Sequence, residues 1–422
     1  MMRRVGKYFL PAMMALCFAA ALSAQGVVEV TFAWSDDGVD SAVMRDLLDR
    51  FEAENLDIRV RLTVQPESAI REGIESGHGP DLARLSDVAA FRGAFLDLRS
   101  LLTDPALLED NFHPAFLGAL RGGSDDTGLY GFADQISLTA PYINISAFEE
   151  AGVDLPSAVM EEPSLDDWLS ALEAVAEATG IPYLLSVDNR DHRLIGPAMR
   201  MGAVFLDGDG DLSLPDDGGL RDFLGLIKSL LDEGKVPEDV LLGTGRSESY
   251  FVRGEALMYI CASGKVESVA QQIGAGFEWV IAPNPHGAAG NTGFASLSAV
   301  VAFAQSEHPQ AAARVIEYLL QPAVYAEYSA RTLTIPAHLA VIESGVAYAS
   351  DSETVRAALG AFARGVADLQ DQAILFDLHP LASTYYDASN ASLQPYFAGE
   401  LTLDEALAAL HARLDEATVA SD

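Results

Sequence analysis

An aromatic residue and two polar residues follow the first segment of the chain that alternates in hydrophobicity. Trp34, Ser35 and Asp36 come directly after residues 27–33, which alternate as a β-strand does. A flat ring can cover the C–H face of a sugar while a carboxylate accepts hydrogen bonds from its hydroxyl groups. The spacing therefore predicts a ligand site at this strand end. The alternative is that Trp34 packs into a core and Asp36 caps the next helix.

A second pair of polar residues stands in a similar position. Ser86 and Asp87 follow the short apolar segment 81–85. In open α/β sheets, ligands bind beyond the carboxyl ends of the strands, so both residues are candidates for the same site. A helix-capping role for Asp87 is equally compatible with the pattern.

Further candidates lie near segments that we expect to cross between two lobes. Residues 129–145 have no helical stripe and include Gln135 and Tyr142, which we assign to the ligand site. Gly293 and Phe294 stand at the entry to another predicted strand, where glycine allows the backbone to approach a ligand closely. Asn144 is expected to cap the following helix rather than to bind.

The elements that position these residues follow an α/β pattern. Residues 27–33 and 58–64 alternate as strands, and residues 41–55 between them have apolar residues at helical spacing. Such strand–helix–strand units predict parallel sheets. With 422 residues, 50% of them hydrophobic, the chain is long enough for two compact lobes. There is no internal repeat and no long linker, so we expect the lobes to exchange chain more than once.

The charge of the chain excludes one class of partner. Its 62 acidic and 26 basic residues give a net charge of −36, which repels a phosphate backbone. Nucleic-acid binding is therefore not expected.

The amino terminus is typical of a cleaved secretory signal over residues 1–24. Arg3, Arg4 and Lys7 precede an apolar stretch over 8–22, and two small residues precede Gln25. An uncleaved membrane anchor is the alternative, but the apolar stretch is shorter than the ~20 residues that span a bilayer. We expect a periplasmic or extracellular protein.

We expect neither cysteine to carry a lipid or to form a disulfide. Cys17 lies inside the predicted signal, and the residues before it do not favour lipid attachment, so no lipid anchor is expected. Cys261 is then the single cysteine of the mature chain, which excludes an intramolecular disulfide.

Signals for catalysis or metal binding are poor. The chain has no G-x-S-x-G, H-E-x-x-H, P-loop or G-x-G-x-x-G motif, and we expect neither an enzyme nor a cofactor. The acidic run 207–211 departs from a calcium loop at its sixth and twelfth positions, so we interpret it as a surface turn. The pair Tyr385-Tyr386 is interpreted as core packing.

An ordered set of short motifs resembles the extracellular solute-binding proteins of family 1, the sugar-type receptors of ABC importers. In chain order the motifs are Phe51-Glu52-Ala53-Glu54-Asn55, Gly79-Pro80-Asp81-Leu82, Phe95-Leu96-Asp97-Leu98, Leu129-Tyr130-Gly131-Phe132, Tyr142-Ile143-Asn144, residues 251–258, residues 281–285 and residues 401–407. Three positions depart from the family pattern. Leu56 and Ala133 stand where the family has proline, and Gly264-Lys265 stands where it often has Gly-Trp.

The resemblance implies a two-lobed periplasmic-binding-protein fold with a hinge. It implies one lobe from residues 27–137 plus 291–337 and another from 142–287 plus 345–418. It also implies that Gly264 and Lys265 border the ligand, although the missing tryptophan weakens the case for a stacked oligosaccharide. A carbohydrate would be captured by hinge closure and delivered by a monomer to a membrane permease with its ATPase.

Two other functions fit parts of the sequence. An acidic cleft suits a polyamine, and the same fold could bind a peptide. A secreted glycan hydrolase would need two carboxylates about 5–10 Å apart, and the sequence identifies no such pair.

Overall fold

The first strand, helix and strand form the predicted parallel unit. The computed structural model describes residues 26–35, 38–123, 125–188, 192–208, 210–213 and 218–421. β1 (Val28–Trp34) pairs in parallel with β2 (Ile58–Val64), and α1 (Val39–Glu54) connects them. The buried stripe of α1 is Val43, Met44, Leu47, Leu48 and Phe51. This spacing places all five side chains on one helix face against the sheet.

The remaining elements continue this α/β pattern and then become mostly helical. The other strands are β3 (Leu82–Leu85), β4 (Gly131–Asn144), β5 (Tyr183–Ser186), β6 (Ala256–Ala262), β7 (Trp279–Ile281) and β8 (Ala295–Ala302). The helices up to β8 are α2 (Glu67–Glu75), α3 (Ala106–Glu109), α4 (Pro114–Ala119), α5 (Ile145–Ala151), α6 (Pro156–Val159), α7 (Leu165–Thr179), α8 (His192–Arg200), α9 (Gly218–Asp232), α10 (Glu238–Leu241), α11 (Ser247–Val252) and α12 (Val266–Ile273). After β8 follow α13 (Pro309–Leu319), α14 (Pro322–Thr332), α15 (Leu339–Ser344), α16 (Glu353–Arg364), α17 (Asp371–Leu375), α18 (Ala382–Phe397) and α19 (Leu403–Ser421). Short 3₁₀ helices cover Val88–Phe91, Ser263–Lys265 and Gly365–Asp368.

The strands form one hydrogen-bonded path through the molecule. Their order is β2-β1-β3-β8-β4-β6-β5, and β7 pairs with β4 beside this path. β1 pairs in parallel with β2 and β3, and β5 pairs in parallel with β6. β8 is antiparallel to β3, and β4 is antiparallel to β6, β7 and β8.

Different helices cover the two ends of this path. α13 and α14 pack against α1, and α13 also packs on β1. At the other end, α16 packs on β7 and α12, while α7 packs on β5 and β6. α18 and α19 pack on each other, and α19 also contacts α9.

Local signals in the sequence explain several helix ends. Ser164 and Asp167 form a capping box at the start of α7, as the S-x-x-D spacing predicts. α7 ends at Thr179 and is followed by Gly180, whose φ of 77° is left-handed and favours glycine. The sequence predicts a helix over 88–95, but the structure has a single 3₁₀ turn there, capped by the Asp87 side chain.

Candidate functional site

β4 changes partners part-way along its length. Residues 131–138 pair with β8, whereas residues 139–144 pair with β6 and β7. At the change, the Thr139 N–H donates to the Phe294 carbonyl (3.0 Å), and the Phe294 N–H donates to Thr139 Oγ1 (2.9 Å). β4 and the approach to β8 therefore cross side by side between two groups of strands. We call this crossing, residues 138–139 with 294–295, the strand exchange.

One rim of polar groups forms where β1 and β3 end. Because both strands are parallel, Ser35 and Ser86 emerge at the same sheet edge. The Ser86 and Asp87 N–H groups donate to the Glu67 carboxylate (2.6 and 3.2 Å). Asp87 Oδ1 accepts from the Ala90 N–H (3.2 Å), which is the capping role weighed from the sequence, and both rim residues are exposed. Asp36 lies outside the described residues.

Trp34 lies beneath this rim rather than in it. Its side chain has 0% exposure and meets Tyr328 edge-on, with 6.3 Å between ring centroids. The Arg84 guanidinium lies 5.2 Å from the ring centroid. The enclosed ring has no face available to a ligand in this structure, which differs from the expectation that it stacks on one. The physical reason is that its strand places it inward, between the sheet and α14.

A buried ion pair supports Trp34 from below. Arg84 Nε donates to the Asp134 carboxylate (2.7 Å), and Arg84 Nη2 donates to Ser298 Oγ (2.9 Å). Burial lowers the pKa of Arg84, but the attraction of Asp134 outweighs it and holds the pKa above its ordinary value. The pair joins β3, β4 and β8 directly under the rim.

A second rim forms where β5 and β6 end. Gly264 is exposed and Lys265 half-buried, immediately after β6, and Lys265 Nζ forms an ion pair with Glu248 (3.1 Å). Burial raises the pKa of Glu248, but hydrogen bonds, with that from Lys265 foremost, bring it below its ordinary value. After β5, Asp188 accepts from Ser247 Oγ (2.5 Å) and pairs with the buried Arg193.

Tyr142 belongs to the core on this second side. It is fully buried, donates to the Ala262 carbonyl (2.9 Å) and stacks on Trp279 with ring centroids 5.5 Å apart. Like Trp34, it offers no free face to a ligand, because the rings of Phe251, Tyr259, Trp279 and Phe362 surround it. The expected cap is confirmed, since Asn144 Oδ1 accepts from the Ala147 N–H at the start of α5.

The glycine at the strand exchange is required by close packing. A Cβ on Gly293 would lie 2.8 Å from the Thr139 carbonyl oxygen, which no side chain tolerates. Phe294 is buried against Phe376. Gln135 is half-buried beside a bulge in β4. Of these predicted residues, Gln135 is the one with accessible side-chain surface.

The sequence motifs and the family comparison agree. A model of the bacterial extracellular solute-binding proteins matches residues 46–357. The chain is a bacterial extracellular solute-binding protein. No curated protein sequence matches it.

Solved structures show the same fold at low sequence identity. The cyclic alpha-maltosyl-1,6-maltose binding protein from Arthrobacter globiformis is 21% identical, with a TM-score of 0.74 over 93% of this chain and 99% of that one. The sugar-binding protein MalE from Xanthomonas citri is 20% identical, with a TM-score of 0.74 over 92% and 97%. The maltose/maltodextrin-binding domain MalE from Bdellovibrio bacteriovorus is 17% identical, with a TM-score of 0.64 over 93% and 100%. The solute-binding protein described here thus has the two-lobed fold of periplasmic binding proteins.

The structure adds a polar cluster that the sequence did not reveal. The Asp377 carboxylate accepts from Ser296 Oγ (2.9 Å), from the Leu297 N–H (3.4 Å) and from the Tyr386 hydroxyl (3.2 Å). Burial raises the pKa of Asp377, against the hydrogen bonds that lower it. The pair Tyr385-Tyr386 was the one feature of the sequence that pointed to this cluster. Tyr385 packs in the core as expected, but Tyr386 is half-buried and reaches the start of β8 through Asp377.

Two other kinds of site are not found in the described part of the chain. None of its helices is long and apolar enough to cross a membrane. No three of its histidine, cysteine, aspartate or glutamate side chains are grouped as metal ligands would be.

Proposed function

We propose that this solute-binding protein captures a carbohydrate between its two lobes and delivers it to an ABC permease. The observation that carries the proposal is that the two polar rims flank the strand exchange: β3 ends beside Ala299 and Ala133 on one side of it, and β6 ends beside Thr139 on the other. Support also comes from the similar structures, whose names describe binding of maltose, maltodextrin or a cyclic maltosyl sugar.

The proposed lobes are residues 27–137 plus 291–337 and residues 142–287 plus 345–418. The change of partners in β4 after Leu138 supports the first boundary, and the crossing at Phe294 supports the second. A hinge at these crossings would need backbone rotation at a few residues, while each sheet stays intact. The ligand stabilises the closed form by contacting both rims at once.

The proposed ligand contacts are the accessible members of the predicted set. On one side, hydrogen bonds to sugar hydroxyl groups would come from Ser35, Ser86 and Asp87, with the neighbouring Asp36. On the other side they would come from Gly264 and Lys265, with Gln135 near the strand exchange. Tyr386 offers a partly exposed ring in place of the two enclosed aromatic rings. Gly293 and Phe294 would shape the backbone behind the ligand.

The ligand is bound and released unchanged, so the protein is not an enzyme and needs no cofactor. It acts as an exported monomer, after removal of residues 1–24, beside a permease and its ATPase. The mass of the exported protein tests this step, and a chain that still begins at Met1 would contradict it.

Thermal-shift and calorimetric titrations test the ligand class. The panel contains maltose, maltotriose and glucose, with spermidine and a tripeptide as non-sugar ligands. A sugar at about 100 times its dissociation constant should add about 2.7 kcal/mol of stability. Stabilisation by spermidine or the tripeptide alone would overturn the sugar assignment, and new sugar products on chromatography would overturn the non-catalytic one.

A matched pair of variants tests the site. Asp87→Ala removes a rim carboxylate, whereas Asp57→Ala removes an exposed carboxylate that pairs with Arg314 far along the chain. We expect Asp87→Ala alone to weaken sugar binding, by about tenfold for one lost charged hydrogen bond. Equal affinities for the two variants would remove Asp87 from the site.

A further inference from the structure

A separate groove runs along the outer edge of β7. It has a volume of about 970 Å³, and its two long walls are β7 and the exposed face of α16. The loop 274–276 after α12 and the first residues of α5 close one end. None of the predicted ligand contacts lines this groove.

The β7 edge presents unpaired backbone groups to the groove. The Ala282 N–H donates to the Pro141 carbonyl (2.9 Å), and the Glu278 carbonyl accepts from the Ser146 N–H (3.3 Å). Alternate residues of an antiparallel strand face the same neighbour, so residues 278, 280 and 282 face β4. Trp279 and Ile281 therefore direct their N–H and C=O groups outward. Within the described ranges, no other strand pairs with this edge.

The α16 wall presents small side chains to the groove. Ala357 and Ala361 lie one turn apart on α16 and line the groove with methyl groups alone. The free edge is short, because the next outward position is Pro283, which has no N–H to donate. A strand of about five residues, at about 3.3 Å per residue, matches the length of the twelve-residue helix α16 at about 1.5 Å per residue.

The two ends of the groove carry opposite charge. Glu149 and Glu278 line the end beside Trp279, and Glu353 lines the α16 wall. Arg364 lies at the other end, where Ile281, Ala361 and Arg364 also line a smaller cavity of about 130 Å³ next to Leu138. Arg364 forms no ion pair with any residue in the described parts of the chain.

We propose that this groove docks an extended segment of a partner polypeptide, which adds a strand to β7. Main-chain hydrogen bonds to Trp279 and Ile281 provide the pairing, as in other proteins that recognise peptides by strand addition. The charges select a segment with a basic residue near Glu278 and a carboxylate near Arg364. A segment whose basic residue precedes its carboxylate runs parallel to β7 in this position. The proposal is independent of the sugar site.

A fluorescein-labelled peptide, Lys-Val-Thr-Val-Glu with a free carboxyl end, tests the proposal by fluorescence anisotropy. We expect saturable binding to the full-length protein. Arg364→Glu should weaken it at least about tenfold, the loss typical of one charged contact. Arg356→Glu is the matched control, since Arg356 lies on the same helix outside the groove and donates to the Ser350 carbonyl. A peptide that ends in lysine amide should recover binding to Arg364→Glu.

Amide hydrogen exchange tests whether the peptide binds at the outer edge of β7. The peptide should slow exchange of the Trp279 and Ile281 amides, while the Val280 amide, already bonded to β4, stays unchanged. The proposal is overturned by the absence of saturable binding up to about 1 mM protein. It is also overturned by equal losses in the two arginine variants, or by unchanged exchange at Trp279 and Ile281. Sugar titration of Arg364→Glu is expected to match wild type, so either proposal can fail without the other.

Discussion

Replacement of Trp34 by alanine separates a structural ring from a ligand-binding ring. The indole is completely enclosed, packs edge-on against Phe32 and Tyr328, and lies under the Arg84 guanidinium. Truncating a buried aromatic side chain costs about 3–5 kcal/mol. Loss of the cation–π contact with Arg84 adds about 1 kcal/mol. We therefore expect Trp34→Ala to destabilise the fold by about 4–6 kcal/mol.

Trp34→Phe is the matched control for this change. Trp34 Nε1 has no hydrogen-bond partner among the described residues, so phenylalanine removes no hydrogen bond and keeps a ring beside Arg84. It should cost about 1–2 kcal/mol, chiefly for the smaller ring. Urea unfolding without ligand measures both variants, and calorimetry measures the sugar affinity of the folded fraction.

The two measurements distinguish the two roles of the ring. The structure predicts a large fall in the unfolding midpoint and little change in affinity. An unchanged midpoint with an affinity lowered by tenfold or more would refute this reasoning. It would mean that the indole leaves the core and reaches the ligand when the lobes close.

Three further predictions address the ion pair, the buried carboxylate and the strand exchange. Arg84→Met should cost about 3–5 kcal/mol in urea unfolding, because it leaves the buried Asp134 without its ion-pair partner, and adding Asp134→Leu should recover much of the loss. Burial raises the pKa of Asp377 above its ordinary value of 3.8, so the folded state binds more protons. Stability should thus fall as pH rises from about 4 toward the raised pKa, and Asp377→Asn should remove that slope from unfolding curves across this range. Gly293→Ala should lower the melting temperature strongly because its Cβ would meet a carbonyl oxygen at 2.8 Å, whereas Gly264→Ala meets nothing within 4 Å and should not. A Gly293→Ala melting temperature equal to wild type would contradict the close approach.

Local patterns in the sequence were sufficient for several elements and for the family, but not for residues 88–95, where a predicted helix is a 3₁₀ turn. Alternation over residues 58–64 and the helical stripe of α1 depend on neighbours in the chain, and both appear as predicted. The caps at Asn144 and Ser164 are equally local, because the side chain bonds the backbone three residues ahead. The ordered motifs identified the family because each motif is also a short run of neighbouring residues.

The tertiary structure decided which way the aromatic residues point and what lies beside them. Trp34 and Tyr142 each stand near a strand end, but the twist and pairing of the strands turn both rings inward. Asp377 reaches Ser296 from 81 residues away, and Arg84 reaches Ser298 across 214 residues. No local pattern encodes such distances, because these contacts depend on how the whole chain packs. The free edge of β7 likewise follows from tertiary pairing, because among the described strands β7 pairs with β4 alone.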